Sequence, residues 1–238
     1  MLKKSQFINI LVVVIVIVAG FFIFKQFNQP AEPIAPKTVD LTPLKQSLAT
    51  RPTVGEVELP QAKIDQYLSQ YDAALEQVKK VNFDTLQGVN QIAQIKKSLG
   101  DYDGAIKAWQ YANAIRPKNS LSFSNLASLY QYDLHEFDKA ETQYQISIAN
   151  DPGDISTIRN FYELYFYDLK DNSKAESLLL DSIKKNPDNA DLLSLTGRFY
   201  ADTGDNAKAI EYYQKHLELS PGNTAARKEI ERLRGLDK

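Results

Sequence analysis

Hydrophobic and polar positions divide the chain into stretches of different period. Residues 7–24 read FINILVVVIVIVAGFFIF, with no charge and Asn9 as the sole polar side chain. As a helix this run spans about 27 Å, close to the hydrocarbon thickness of a bilayer. In lipid a helix satisfies its own backbone, whereas in water the same β-branched run favours a strand and aggregation. A buried core strand is disfavoured by the length of the run and its place at the terminus. A cleaved signal peptide competes more seriously, because residues 1–4 give a basic start. Against it, no A-x-A-like site follows, and the run ends in bulky residues 21–24 and Lys25. The expected elements are therefore a stub over 1–6 and a retained single-pass transmembrane helix over 7–24. Lys3 and Lys4 precede the span and Lys25 follows it. The positive-inside rule then places the stub in the cytoplasm and the C-terminal domain outside it; the margin is one charge, and the opposite orientation stays open.

Residues 25–59 lose any apolar period and carry Pro30, Pro33, Pro36, Pro43 and Pro52. Proline fixes φ and removes a donor, so this stretch reads as an extended linker, with a short helix at 42–48 at most. P-x-x-P spacing occurs at Pro30–Pro33 and Pro33–Pro36, a weak match to a polyproline ligand. A helical period begins at residue 60: Ile64, Leu68, Tyr71, Leu75, Val78 and Val81 form one stripe of a leading helix over 60–85. At the other end, residues 224–238 place Ala226, Ile230 and Leu233 on one stripe with charges elsewhere, the pattern of a terminal capping helix.

Between these lies a repeat. Prolines fall at 117, 152, 187 and 221, spaced by 35, 35 and 34 residues, and each is followed two residues later by Asn119, Asp154, Asn189 or Asn223. Twelve residues before each proline stands Ala105, Ala140, Ala175 or Ala209. A large residue follows each alanine by four: Trp109, Tyr144, Leu179 and Tyr213. A fixed period of this length signals an array of helical hairpins. The stretches LGDYDGAIKAWQYANAIRPKN, HEFDKAETQYQISIANDPGD, NSKAESLLLDSIKKNPDN and TGDNAKAIEYYQKHLELSPGN carry it, and with them the chain resembles the tetratricopeptide repeat (TPR) family. The resemblance implies an all-α, TPR-like helix–turn–helix solenoid with units at 86–119, 120–154, 155–189 and 190–223. First helices are expected near 86–98, 120–132, 155–168 and 190–202. The leading helix then covers the first unit, and the last helix caps the fourth.

Three departures qualify the match. The small residue of the first helix is Ala93, Ala127 and Gly197, but Tyr162 in the third unit. Lys96 stands where Tyr130, Tyr165 and Tyr200 supply an aromatic. The middle units each hold one extra residue between their helices, which predicts longer loops at 133–136 and 168–172.

Composition narrows the chemistry. Net charge is −2, and Lys3, Lys4 and Lys25 are the only charges in residues 1–29, so the remainder sums to −5. That argues against a nucleic-acid binder. The absence of cysteine removes disulfides, thiolate nucleophiles and zinc thiolate sites. His135 falls in an inter-helix loop and His216 on a second helix, both read as packing or surface residues. Asp101, Asp103 and Gly104 match part of a calcium loop, but the closing Glu is missing and capping explains them. No phosphate loop or nucleophile elbow occurs. No enzyme activity, metal, cofactor or small-molecule substrate is expected.

The resemblance places a partner protein or peptide on the inner surface, at the second, fifth, ninth and twelfth places of the first helices. These are Gln87, Asn90, Gln94 and Lys97; Leu121, Ser124, Ser128 and Gln131; Ser156, Arg159, Glu163 and Phe166; and Asp191, Ser194 and Arg198. The last two units, with Arg159, Glu163, Phe166 and Arg198, are the favoured contact surface. Asn90 and Gln94 do not reproduce the clamp by which chaperone-binding relatives hold a terminal carboxylate. The expected function is a membrane-anchored interaction scaffold; the alternative is a structural or assembly subunit of an envelope or pilus-type complex.

Overall fold

The computed structural model describes residues 40–236. The expected stub, transmembrane helix and first part of the linker, residues 1–39, lie outside the described residues. Among the described residues no helix is long and apolar enough to cross a membrane. Contacts divide the chain after Asp40, and the unit beginning at Leu41 holds all of the elements below.

Four helical hairpins stack in sequence. Their first helices are α3 (Leu86–Ser98), α5 (Leu121–Ser128), α7 (Ile155–Glu163) and α9 (Ala190–Thr203); their second helices are α4 (Tyr102–Ile115), α6 (Phe137–Asn150), α8 (Asn172–Lys185) and α10 (Asn206–Leu219). Before them come α1 (Thr42–Ala49) and α2 (Gln61–Lys80), and after them α11 (Thr224–Leu236). The phased alanines are fully buried where the two helices of a unit cross, and Trp109, Tyr144, Leu179 and Tyr213 are buried beside them. Side-chain volume at such a crossing is fixed by its neighbours, so Ala140→Leu costs about 1–3 kcal/mol.

The residues after the repeat prolines act as helix caps. Asn119, Asp154, Asn189 and Asn223 each accept the N–H three residues on, from Ser122, Thr157, Leu192 and Ala226, at 2.8 to 3.2 Å. This satisfies one of the donors that a helix start leaves free. Asp101, Asp171 and Asp205 do the same for α4, α8 and α10. Capping thus accounts for Asp101, whose second oxygen pairs with Lys96. In the second unit Glu136 occupies the cap position and makes no such bond. Each hairpin turn passes through the left-handed region, at Gly100, His135, Lys170 and Gly204.

The extra residue of the middle units is not in the loops, where it was expected. It lies inside the first helices, which end in single π-helical turns at Leu129–Asp133 and Leu164–Asp168. There Leu134 and Leu169 donate to carbonyls five residues back, at 3.1 and 2.9 Å. The hairpin turns themselves are kept nearly constant. Asp101 and Asp205 donate their N–H to the carbonyls of Lys96 and Tyr200, and Glu136 and Asp171 donate to the equivalent Tyr130 and Tyr165. With the turn fixed at both ends, the helix takes up the insertion, as a π-bulge does.

A second correction concerns the linker. Its C-terminal part, 41–59, is docked on the first unit. Leu48 and Pro52 are buried. Tyr71 hydroxyl lies 2.8 Å from the carbonyls of both Leu48 and Thr50. Lys96, which is 1% exposed, donates to the Thr50 carbonyl at 2.9 Å and pairs with Asp101 at 2.9 Å. Gly55 donates to the Leu99 carbonyl, and its α-carbon faces Gly100 so closely that a Cβ would lie 2.7 Å from the Gly100 carbonyl oxygen. Lys96 therefore replaces the aromatic of the other units because here it must hold a strap of backbone. Val81 departs from the leading-helix stripe: it lies past the end of α2 and is exposed, while Phe83 turns inward at φ 66° under Lys45. In α11, Ala226, Ile230 and Leu233 are buried, the face expected of a cap.

Candidate functional site

The first helices share one face, and hydrogen bonds run across it from unit to unit. Thr157 hydroxyl donates to Ser124 Oγ at 2.6 Å, and Ser122 Oγ donates to Asn90 Oδ1 at 3.1 Å. Tyr132 hydroxyl donates to Glu163 at 3.0 Å, and Arg198 donates to Tyr167 hydroxyl at 3.1 Å. Lys97 pairs with Asp133 at 2.8 Å.

Most residues expected on this face are there. Gln87, Gln94, Leu121, Ser156, Arg159, Asp191 and Arg198 are exposed, and Ser124, Ser128, Glu163, Ser194 and Lys97 are half-buried. Three are not. Asn90 is buried, its amide spent on Leu86 carbonyl and Ser122. Gln131 is buried between Tyr144 hydroxyl and Asp168. Phe166 is half-buried and leans against the core, stacked on Tyr162 at 5.4 Å and edge-on to Phe199 at 5.8 Å.

The π-turns explain the last two. A residue advances a helix by about 100°, so one inserted residue carries the next side chain to the place its predecessor would hold. Tyr132 and Tyr167 therefore occupy the open face, 46% and 40% exposed. The sequence carried a signal for them. Eight residues separate Ala127 from His135 and Tyr162 from Lys170, against seven from Ala93 to Gly100 and from Gly197 to Gly204.

At the C-terminal end the face deepens. A crevice of about 180 Å³ lies between Arg159, Asp191, Ser194, Leu195, Arg198 and Tyr213. A second, of about 350 Å³, shares Ser194, Arg198 and Tyr213 with it and is completed by Asp202, Asn223, Ala225, Ala226 and Glu229. Arg159 has no hydrogen-bond or ion-pair partner among the described residues, whereas Arg198 lies 3.5 Å from Asp202. Tyr162, the bulky residue of the third unit, is 1% exposed and its hydroxyl has no partner. Burial pushes that hydroxyl well above the usual tyrosine range, with Tyr167 and Asp202 adding to the effect, so it remains a neutral donor.

The outer face is different. Between α6 and α8 a crevice of about 410 Å³ has Ile148, Phe161, Tyr165 and Leu178 in its wall and Glu141, Lys174, Asp181 and Lys185 at its edge. Here Tyr165 donates to Glu141 at 3.0 Å, and Lys174 pairs with the same carboxylate at 2.9 Å. One unit on, Tyr200 donates to Glu176 at 2.6 Å with Lys208 at 3.6 Å. These clamps join consecutive units. His216 is buried in α10, with Nδ1 2.8 Å from the Ala190 carbonyl and Nε2 2.8 Å from the Asn223 amide. An Nδ1–H tautomer satisfies both contacts, which makes it a packing histidine.

Among the described residues no group of three or more acidic or histidine side chains could hold a metal ion. The face offers amides, hydroxyls, two exposed phenols and charges of both signs: the chemistry of reversible contact with a polypeptide.

Comparison with known proteins agrees with this architecture. The family model described as Tetratricopeptide repeat matches residues 164–224. The C-terminal part of a TPR repeat-containing protein from Cytophaga hutchinsonii aligns with TM-score 0.56 and 18% identity, over 72% of this chain and 66% of that one. PilW, a widely conserved type IV pilus biogenesis factor, aligns with TM-score 0.51 and 18% identity, over 73% and 81% of the two chains. YrrB, a TPR protein with an unusual peptide-binding site, aligns with TM-score 0.50 and 12% identity, over 69% and 84%. At these identities the likeness establishes the fold. No curated protein sequence matches the chain. The family match over residues 164–224 and the structural likeness agree on a TPR-like fold.

Proposed function

We propose that this chain is a membrane-anchored scaffold that holds a partner protein or peptide on the face of its first helices. The observation that carries the reading is the C-terminal half of that face, where exposed Arg198 lines two adjoining crevices, unpartnered Arg159 lines one of them, and exposed Tyr167 accepts from Arg198. A core residue needs no such exposure, and a solvated surface needs no such concavity. The anchor is assigned to residues 7–24 by their apolar run, with the repeats on the side of the membrane opposite the N-terminus. The likeness to PilW and YrrB supplies the fold and leaves the partner's identity open. No catalytic step is assigned.

The test is proximity crosslinking in intact cells with the full chain tagged after Lys238, comparing wild type with Arg159→Glu and Arg198→Glu. Both sites are exposed, so the fold is retained, and at least fivefold loss of specific partners is expected. Unchanged capture of all partners by both variants sinks the assignment. Extraction of the chain from membranes by alkaline carbonate rules out the anchor. Sedimentation in detergent addresses the alternative, a structural subunit: concentration-dependent self-assembly through the outer helices favours it.

A further inference from the structure

We propose that the tyrosine-bearing inner face of the second and third units binds an extended proline-rich strand, and that this strand is residues 30–36 of a second copy of the chain. The proposal rests on the reading of the first-helix face as the contact surface and names its occupant.

Among the described residues, large apolar side chains are exposed at Val54, Val81, Leu121, Tyr132, Tyr167 and Leu219. Half of them, Leu121, Tyr132 and Tyr167, are on this one face. The two phenols are equivalent positions of consecutive units. Their hydroxyls are held by Glu163 and Arg198, so the rings are already ordered and lose little freedom on contact.

A polyproline II strand suits such a face. It forms no internal hydrogen bonds, so all its carbonyls are free, and aromatic-lined grooves take it without a large ordering cost. The spacing also fits. Pro30, Pro33 and Pro36 recur at every third residue. At about 3.1 Å per residue, prolines on one side of the strand stand about 9 Å apart; packed helices stand about 8–10 Å apart. One proline then falls on each successive unit. The charges agree: Glu32 lies within the strand, and Arg159, between the two phenols in the order of the chain, is an exposed cation without a partner among the described residues. A second copy is required because four residues from Pro36 to Asp40 span at most about 14 Å. The strap that follows them is fixed on the first unit, and Tyr167 is two units further along.

Two measurements on the full chain in detergent test this. First, a labelled peptide of residues 27–38 is titrated and followed by anisotropy. Saturable binding is expected, weakened at least tenfold by Tyr132→Ala with Tyr167→Ala. A peptide carrying Pro33→Ala, which leaves the protein untouched, should bind at least threefold more weakly. Second, the chain has no cysteine, so Glu32→Cys on one tagged copy and Arg159→Cys on another can be joined by a short bismaleimide. Mixed-copy crosslinks support the proposal. Absence of peptide binding at millimolar concentration overturns it, as does binding indifferent to the tyrosines and prolines, or a crosslink confined to one chain. If outside partners still require Arg159 while the peptide does not bind, the scaffold reading stands and this occupant fails. If the peptide binds and no outside partner depends on the face, the groove serves self-association and the scaffold reading fails.

Discussion

The ion pair of Lys96 and Asp101 gives an unequal prediction for its two members. Lys96 is 1% exposed and Asp101 12% exposed at the side chain, 2.9 Å apart. Lys96→Met removes the buried charge. Asp101 keeps its cap on Gly104, and the Thr50 carbonyl keeps Tyr71 hydroxyl. What is lost is charge-assisted hydrogen bonding, less the desolvation that lysine no longer suffers, a net cost of about 1–2 kcal/mol. Asp101→Asn is isosteric and preserves the cap, yet leaves a buried ammonium with only the Thr50 carbonyl and the face of the Tyr71 ring to offset its charge. Removing one partner of a buried pair costs about 3–5 kcal/mol. The double variant should fall near Lys96→Met, more stable than Asp101→Asn by about 2 kcal/mol, and this coupling isolates the pair. Trp109 is the single tryptophan and is fully buried in the same unit, so its fluorescence during urea unfolding reports on this end of the array. The reasoning is refuted if Lys96→Met costs as much as Asp101→Asn, or if the double variant is no more stable than Asp101→Asn.

His135 and Lys170 adopt φ of 53° and 56° where the outer units use glycine. Lys170→Gly should raise stability by about 0.5–1 kcal/mol, since relief of left-handed strain exceeds the entropy glycine adds to the unfolded chain; a lower urea midpoint would contradict this. Glu136→Asp should supply the cap missing from α6 and add about 0.5–1 kcal/mol, visible as slower amide exchange in its first turn. Burial pushes the hydroxyls of Tyr71 and Tyr213 up to about 12. Because the folded values lie above the unfolded value near 10, their contribution is complete below pH 10 and is lost as pH rises through 12. The loss amounts to about 3 kcal/mol per group at most. The urea midpoint should therefore drop steeply between pH 10 and 12, and Tyr71→Phe should flatten that drop; a midpoint level across this range would oppose the assignment.

The repeat was legible because each of its signals is local. Proline, the cap two residues later and the alanine twelve before follow from one hairpin's needs, and the bonds to Ser122, Thr157, Leu192 and Ala226 realise them. The extra residue of the middle units was visible as a count, but a count does not say where a backbone yields. The left-handed turn, its carbonyl bonds and the next cap fix the loop, so the helix yielded. That single misplacement exchanged Gln131 and Phe166 for Tyr132 and Tyr167. The strap was less legible still. Leu41, Leu44 and Leu48 mark an amphipathic turn, but the acceptor for Lys96 lies 46 residues away, and no local pattern reports such a distance. Lys96 did depart from its unit's pattern, and the departure marked the contact.

The π-turns separate two properties that a helix usually ties together. How a hairpin stacks depends on its buried alanine and on its turn; what it displays depends on the azimuth of its last turn. One residue added near the end of a first helix changes the second and leaves the first intact. An array built this way can turn individual rungs to show new side chains while its spine keeps its pitch. Two of the four rungs here have been turned, and both show tyrosine.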